Sequence, residues 1–442
     1  MGSSAIRIAD LKVHSIAIAD PPLRSSYGLH QPYALRTVIE LVSGDGVVGI
    51  AETHGGDAIA KGFQLLRPQI VGSDPYRLAG LLLPMIEIDT TGTTSLDRSQ
   101  TYHVPGENPL DAGARLYSAI EIACLDLIGK SIGRPVCDLL GGRARDEVPF
   151  SAYPFYKHAG GGGEGADARP DEYGEALSPE SLVRQVKQMV AKYGFRDIKF
   201  KTGVLDPEIE VETVRQLHIA LGPTVPLRMD PNGAWSVDTS VKVGKALAKE
   251  LGHGGYLEDP TFSLTGMAEV RRRLMAEGID TPLGSNVAVT GFADIPESVK
   301  LDAVQVILCD PHYWGGVQQV QHLGKMCRTF GIGLSMHSNS HLGVSLMAMA
   351  HAAAATPHLT YACDTHYPWQ SADDEIVAGG RVPIVGGNVR ITDKPGLGVE
   401  LDHDQLARGR ERYAKMPYRK RDDEAEMRKH VDPNWKRILP RW

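Results

Sequence analysis

From about residue 148 onward, short apolar runs alternate with amphipathic stretches. The runs are VPFSAYPF, DIKFKTG, PLRMDPNG, GGYLEDP, TPLGSN, AVQVILCDP, GIGLSMHSN and LTYACDTH. Between them lie segments of helical periodicity such as SPESLVRQVKQMVAKYG, where Ser178 is placed to cap the helix. Eight strands alternating with helices is the arithmetic of a (β/α)8 barrel. The part before it reads as α+β. RTVIELV and VVGIAET flank SGDG, a hairpin signal, and helical patterns follow at roughly 57–71, 75–86 and 111–130. The predicted class is α/β: a modified (β/α)8 TIM barrel with an N-terminal α+β capping domain. The expected boundaries are 1–140 for the cap, 141–380 for the barrel, and 381–442 for a C-terminal segment returning to the cap and the site. The glycine-rich stretch 158–178 interrupts the pattern after the first run; it contains GxGxxG at Gly160 to Gly165, but no helix start follows. It is expected to be a mobile loop and not a dinucleotide fingerprint.

Composition narrows the partners. The chain has 442 residues, 42% of them apolar, and a net charge of −7 with both signs mixed along it. That balance argues against nucleic acid or an anionic membrane and leaves a small molecule as the partner. The five cysteines are dispersed and form no CxxC pair, which fits a reducing cytoplasm. The N-terminus lacks the basic-then-apolar pattern of a secretory signal, and no apolar run reaches membrane-spanning length.

The run FRDIKFKTG poses a sharper question, because Lys199 and Lys201 sit two apart on a strand and so share one face. On a solvated edge this is unremarkable. Inside a barrel, paired cations demand anions. The other runs also end in polar residues: Asp230 and Asn232, Glu258 and Asp259, Asn286, Asp310, His337, then Asp364 and His366. From Lys201 through Asp230, Glu258, Asn286, Asp310, His337 and His366 the intervals are 29, 28, 28, 24, 27 and 29 residues. One strand–helix unit is the common step, so each strand brings its polar group to the same end of the barrel, where such folds build active sites.

Asp230, Glu258 and Asn286 come from three consecutive strands and offer only oxygen, which suits Mg²⁺. His337 has Asp310 on the preceding strand, and a carboxylate on one ring nitrogen fixes the tautomer and raises the basicity of the other. Nearby positive charge disfavours a second ammonium, so Lys201 is expected to act as a base while Lys199 neutralises a substrate carboxylate.

With these residues in view, the chain resembles the mandelate-racemase side of the enolase superfamily, and within it the glucarate dehydratases. The resemblance rests on KFKTG, MDPNGAW, LEDP, GSN, CDPHYWGG, HSNSHLG, CDTHYPWQ and KPGLGVELD, in order from about 199 to 402. A Lys or His base working with Mg²⁺ on an ene-diolate is a known property of that superfamily. The resemblance implies removal of the proton α to a carboxylate and loss of the β-hydroxyl to give a keto-deoxy acid sugar. It places Lys201 and His337 on opposite faces of the carbon acid, with Lys199, Asn232 and Asn339 binding or polarising the carboxylate. It puts His30, Tyr153, His366 and Arg421 in contact with the substrate, Arg421 as the clamp on a distal carboxylate. It also leads us to expect a homo-oligomer. The pattern departs in places. No acid follows EDP until Glu269, so the second metal ligand is assigned to Glu258; Ser340 stands where asparagine is common; and YHVPGENPLDAG at 102–113 is divergent.

Three other readings use the same residues. A racemase or epimerase needs two bases on opposite faces, which Lys201 and His337 supply. A zinc hydrolase is disfavoured, since His337 and His341 come without an HExxH glutamate or any HxH. A non-catalytic barrel that binds a sugar acid would be expected to lack part of the lysine–metal–histidine set.

Overall fold

The computed structural model describes residues 6–81 and 112–442. The pattern at 75–86 lies partly, and the divergent segment 102–113 almost wholly, outside them. The SGDG hairpin forms as expected, joining the antiparallel strands Tyr33–Ser43 and Val48–His54. A third strand, Ile8–Ala19, pairs along the outer side of Tyr33–Ser43 and was not anticipated from the sequence. The helix Ala112–Ile132 packs on this sheet at Gly49, where an added Cβ would fall 2.0 Å from the Ala123 carbonyl oxygen. Only glycine permits that approach.

Six strands form one parallel sheet in sequence order: Ile198–Lys201, Leu227–Asp230, Tyr256–Glu258, Leu283–Ser285, Val306–Cys309 and Gly333–Met336. Helices pack around them, as both-sided burial of a parallel sheet requires. The first of these helices, Pro179–Tyr193, is capped by Ser178, with the Ser181 hydroxyl answering it, and stops at Gly194 in the left-handed region. The first and last of the eight predicted runs close the ring without being full strands. Ala152 N donates to Asp197 O and Lys201 N to Pro154 O on one side; Ser151 N donates to Cys363 O, and Asp364 N to Met336 O, on the other. Pro149 and Pro154 lack a donor N–H, so the segment pairs only in places. The result is a curled half-barrel of six strands completed by two bridging segments.

The tail returns to the cap. Its helix His403–Lys415 lies along Ile8–Ala19, with Arg412 Nε donating to Ala17 O at 3.0 Å. The glycine-rich segment departs from the expected mobile loop, because it is fastened at several points. Buried Lys157 binds Asp171 at 2.9 Å, Gly163 N donates to Pro32 O, and Arg169 reaches Asp374 at 2.6 Å. Its glycines supply tight turns for a segment that is pinned by charge. Among the described residues no helix is long and apolar enough to cross a membrane.

Candidate active site

All four residues of Ile198–Lys201 are buried, so the two lysines point into the barrel and not to a solvated edge. Carboxylates meet them there. Lys199 Nζ lies 2.7 Å from Glu258 Oε1, 2.6 Å from Asp364 Oδ2 and 3.3 Å from Asp230 Oδ2. Burial opposes its charge, but Asp364 and Glu258 outweigh that and hold the ammonium well above its usual range. Lys201 Nζ lies 2.7 Å from Asp230 Oδ2 and 3.2 Å from the Tyr153 hydroxyl, and also donates to Asn232 Oδ1. Tyr153 in turn donates to Asp230 at 2.7 Å. Asn232, at φ 46°, turns back so that its Nδ2 reaches Asp230 Oδ1 at 2.8 Å.

The expected metal ligands are tested by what is left over. Glu258 Oε2 and Asn286 Oδ1 are buried without a hydrogen-bond partner, the state of an oxygen that awaits a cation. Burial, reinforced by Asp230, pushes the Glu258 carboxyl well up despite the Lys199 ammonium beside it, so a second positive charge there would favour its ionised form. Asp259 fixes the backbone at Asn286, the third expected ligand, accepting from Ser285 Oγ at 2.6 Å and from the Asn286 amide at 2.8 Å. Among the described residues no three His, Cys, Asp or Glu side chains converge as metal ligands; this set has two carboxylates and one amide. The oxygens fit a hard cation such as Mg²⁺.

Above them opens a cleft of about 510 Å³, bounded by the barrel, the cap segment around His30 and the tail around Arg421. Lys201, His337, Asn339, Tyr153, Asn232, Asn286, His366, His30 and Arg421 all line it. Lys199, expected to neutralise a substrate carboxylate, is not among these lining residues: it is wholly buried and held by three carboxylates. His337 Nδ1 lies 3.3 Å from Asp310 Oδ2, as expected, but Asp310 is shared with His312. His366 Nδ1 pairs with Ser338 Oγ at 2.9 Å; burial, aided by neighbouring His30, holds the ring well below its usual range, so it is neutral. Asn339 Nδ2 donates to Tyr313 OH at 3.0 Å, and Tyr313 meets His54 of the cap at 2.5 Å. Arg421 is engaged by Asp423 at 2.6 Å and by Asp20 at 3.4 Å.

Two family models cover most of the chain. Residues 11–141 match the mandelate racemase / muconate lactonizing enzyme N-terminal domain, and residues 181–405 match the enolase C-terminal domain-like family. The chain belongs to the enolase superfamily. Within that superfamily it is 43% identical, over 99% of both chains, to a Streptomyces coelicolor protein named "Probable glucarate dehydratase". A crystal structure of an enolase from Pseudomonas fluorescens with bound magnesium, potassium and tartrate superposes with TM-score 0.91 at 45% identity, covering 100% of each chain. An enolase from Mycobacterium smegmatis complexed with tartrate gives TM-score 0.89 at 44% identity, again over 100% of each chain.

Sequence reading of this superfamily member missed Asp20, His54, His312 and Tyr313, and left Asp364 without a role. Asp364 was counted among the polar strand ends, and His312 and Tyr313 lie inside the motif CDPHYWGG, two and three residues past the marked Asp310. Asp20 and His54 lie at the ends of cap strands, and no local pattern ties those ends to the barrel.

Proposed function

We propose that the chain is a Mg²⁺-dependent dehydratase of an acid sugar resembling glucarate. The observation that carries this reading is that Lys201, His337 and Asn286 line one cleft, with the Asn286 side-chain oxygen unpartnered there and the buried Glu258 carboxylate likewise left with an unpartnered oxygen. The names of the relatives support the same reaction class. Asp230, Glu258 and Asn286 would hold the cation. When bound, Mg²⁺ supplies fixed positive charge against the negative charge that develops on the substrate carboxylate.

Lys201 and His337 come from the two outer strands of the six-stranded sheet and face the same cleft. Lys201 takes the α-proton from one face. The C–H electron pair moves toward the carboxylate, then expels the β-hydroxyl, which leaves as water with a proton from His337. The resulting enol becomes a keto-deoxy acid. Asp310 orients His337, and Asn232 and Asn339 fix the reacting end. The buried, unpaired cysteines agree with a cytoplasmic setting, and a homo-oligomer, checked by light scattering, completes the reading.

Proton NMR in D₂O with Mg²⁺ and a panel of hexarates, glucarate first, tests it, with Lys201→Ala as control. A keto-deoxy product that the control fails to make supports the dehydratase. Deuterium entering the α-position without loss of water would instead identify a racemase or epimerase. Binding of a diacid unaffected by removal of Mg²⁺, with no exchange, would mark a non-catalytic barrel.

A further inference from the structure

Asp20 ends the first cap strand and is fully buried, with no part in the cleft lining, yet it touches three residues that do line the cleft. His30 Nδ1 lies 3.0 Å from its Oδ2, Ser340 Oγ donates to its Oδ1 at 3.1 Å, and Arg421 Nη1 donates to its Oδ2 at 3.4 Å. These partners belong to the cap, the barrel and the tail. One carboxylate therefore joins the three pieces of chain that wall the cleft. Its backbone is braced from behind by the glycine-rich segment, where a Cβ on Gly162 would fall 2.4 Å from the Asp20 carbonyl.

We infer that Asp20 is a positioning residue that sets the wall of the cleft formed by His30, Ser340 and Arg421, and so its preference for a substrate with a second carboxylate. The step to a second carboxylate rests on the acid-sugar reading; the positioning itself does not. Burial alone would raise the Asp20 carboxyl, but His30 and Arg421 outweigh it and hold it below the usual range, so it is a carboxylate at neutral pH. A carboxylate at Nδ1 requires the proton on that nitrogen, leaving Nε2 as the ring atom for the ligand. The same charge holds the Arg421 guanidinium at the edge of the cleft, where its fork matches a carboxylate. Without Asp20, His30 is free to change tautomer and Arg421 keeps only Asp423.

The test uses the Mg²⁺-loaded full chain. Long-range ¹H–¹⁵N NMR of the histidine rings, with His30 assigned by its loss in His30→Gln, should show Nδ1 protonated in the wild type. In Asp20→Asn that signature should be lost or exchange-broadened. On glucarate, Asp20→Asn should raise KM at least tenfold with kcat within threefold, while KM for the monoacid gluconate changes less than twofold. An Nε2–H tautomer in the wild type overturns the inference even if the variant does not fold. An unchanged KM, or a loss confined to kcat, overturns it too. If the wild type acts on no diacid yet the tautomer shifts in Asp20→Asn, the substrate reading fails and the positioning role stands.

Discussion

His312 stands closer to Asp310 than His337 does, at 2.7 Å against 3.3 Å, and its backbone N–H adds a further bond at 2.9 Å. The carboxylate on the proposed catalytic histidine is thus anchored first by a neighbour two residues along the chain. Burial opposes the charge on Asp310, but His312 and then His337 outweigh it and hold the carboxyl well below its usual range. A depressed acid stabilises the fold above its unfolded value and loses that contribution as pH falls through the folded one. His312→Phe should therefore cost about 1–3 kcal/mol at neutral pH and flatten the acid limb of the stability curve. Denaturant unfolding followed from neutral pH down to about pH 2 checks this; an unchanged acid limb would mean that His312 is incidental to Asp310.

The two lysines should fail differently. Lys201 lines the cleft, and its partner Asp230 keeps Tyr153, Asn232 and Lys199 when it is gone. Lys201→Ala is expected to stop α-proton exchange while leaving the fold intact. Lys199→Met instead leaves Glu258 and Asp364 buried together without their shared ammonium, a loss of about 3–5 kcal/mol. Urea unfolding of both variants separates the roles, and equal stability loss in the two would refute the division.

Much of this site was legible because barrels repeat. A step of 24 to 29 residues between polar strand ends places Lys201, Asp230, Glu258, Asn286, Asp310 and His337 at one level of the barrel. Periodicity reports where a side chain points, not which partner holds it. Lys199 and Lys201 share a face, yet one is sealed by carboxylates and the other lines the cleft, a difference set by Asp364 165 residues away. Asp20 was silent for the same reason, since its contact with Arg421 spans 401 residues. The glycine-rich segment misled through composition: glycine suggests mobility, but Lys157, Asp171 and Arg169 decide the outcome.

Asp259 braces Asn286, one of the three proposed metal ligands, and is not itself among them. Its carboxylate accepts from the amides of Asn286, Val287 and Ala288, which fixes the turn that aims the Asn286 side chain. Outer partners of this kind typically cost about 10–100-fold in metal affinity when removed. Asp259→Asn should weaken Mg²⁺ binding by that factor in titration calorimetry. Mg²⁺ at about 100 times its Kd should also stabilise the wild type by about 2.7 kcal/mol. A chain whose melting ignores both Mg²⁺ and EDTA would contradict the assigned ligand set.

Glu121 couples the cap to the barrel by capping a helix that is not its own. It accepts from the amides of Val317, at 2.6 Å, and Gln318, at 3.2 Å, at the start of the Val317–Phe330 helix. Burial pushes its carboxyl up to about 8, from an ordinary value of 4.5, despite those amides. An acid raised on folding gives stability that is full below its unfolded value and is lost as pH rises through the folded one. Between about pH 4.5 and 8 this group should remove about 1.4 kcal/mol per pH unit. Glu121→Gln keeps one acceptor and should flatten that decline, as followed by denaturant unfolding at each pH. A slope that the variant leaves intact would assign the decline to another group.

The brace behind Asp20 gives the last prediction. Gly162 has φ +83° and lies against the Asp20 backbone, so Gly162→Ala meets both a disfavoured conformation and a contact of 2.4 Å. Neither can be relieved by a flexible side chain, because the opposing atoms are backbone. The cost should exceed 1 kcal/mol, the usual scale for alanine at a position that demands positive φ. Because the displaced atoms belong to Asp20, the damage should also reach the cleft: KM for the diacid should rise while kcat holds. Gly165→Ala is the control, since it too has positive φ, at +57°, but no atom lies within 4 Å of its added Cβ. Strain alone would make the two variants equal in stability and silent in KM. A rise in KM confined to Gly162→Ala would show the segment acting through Asp20.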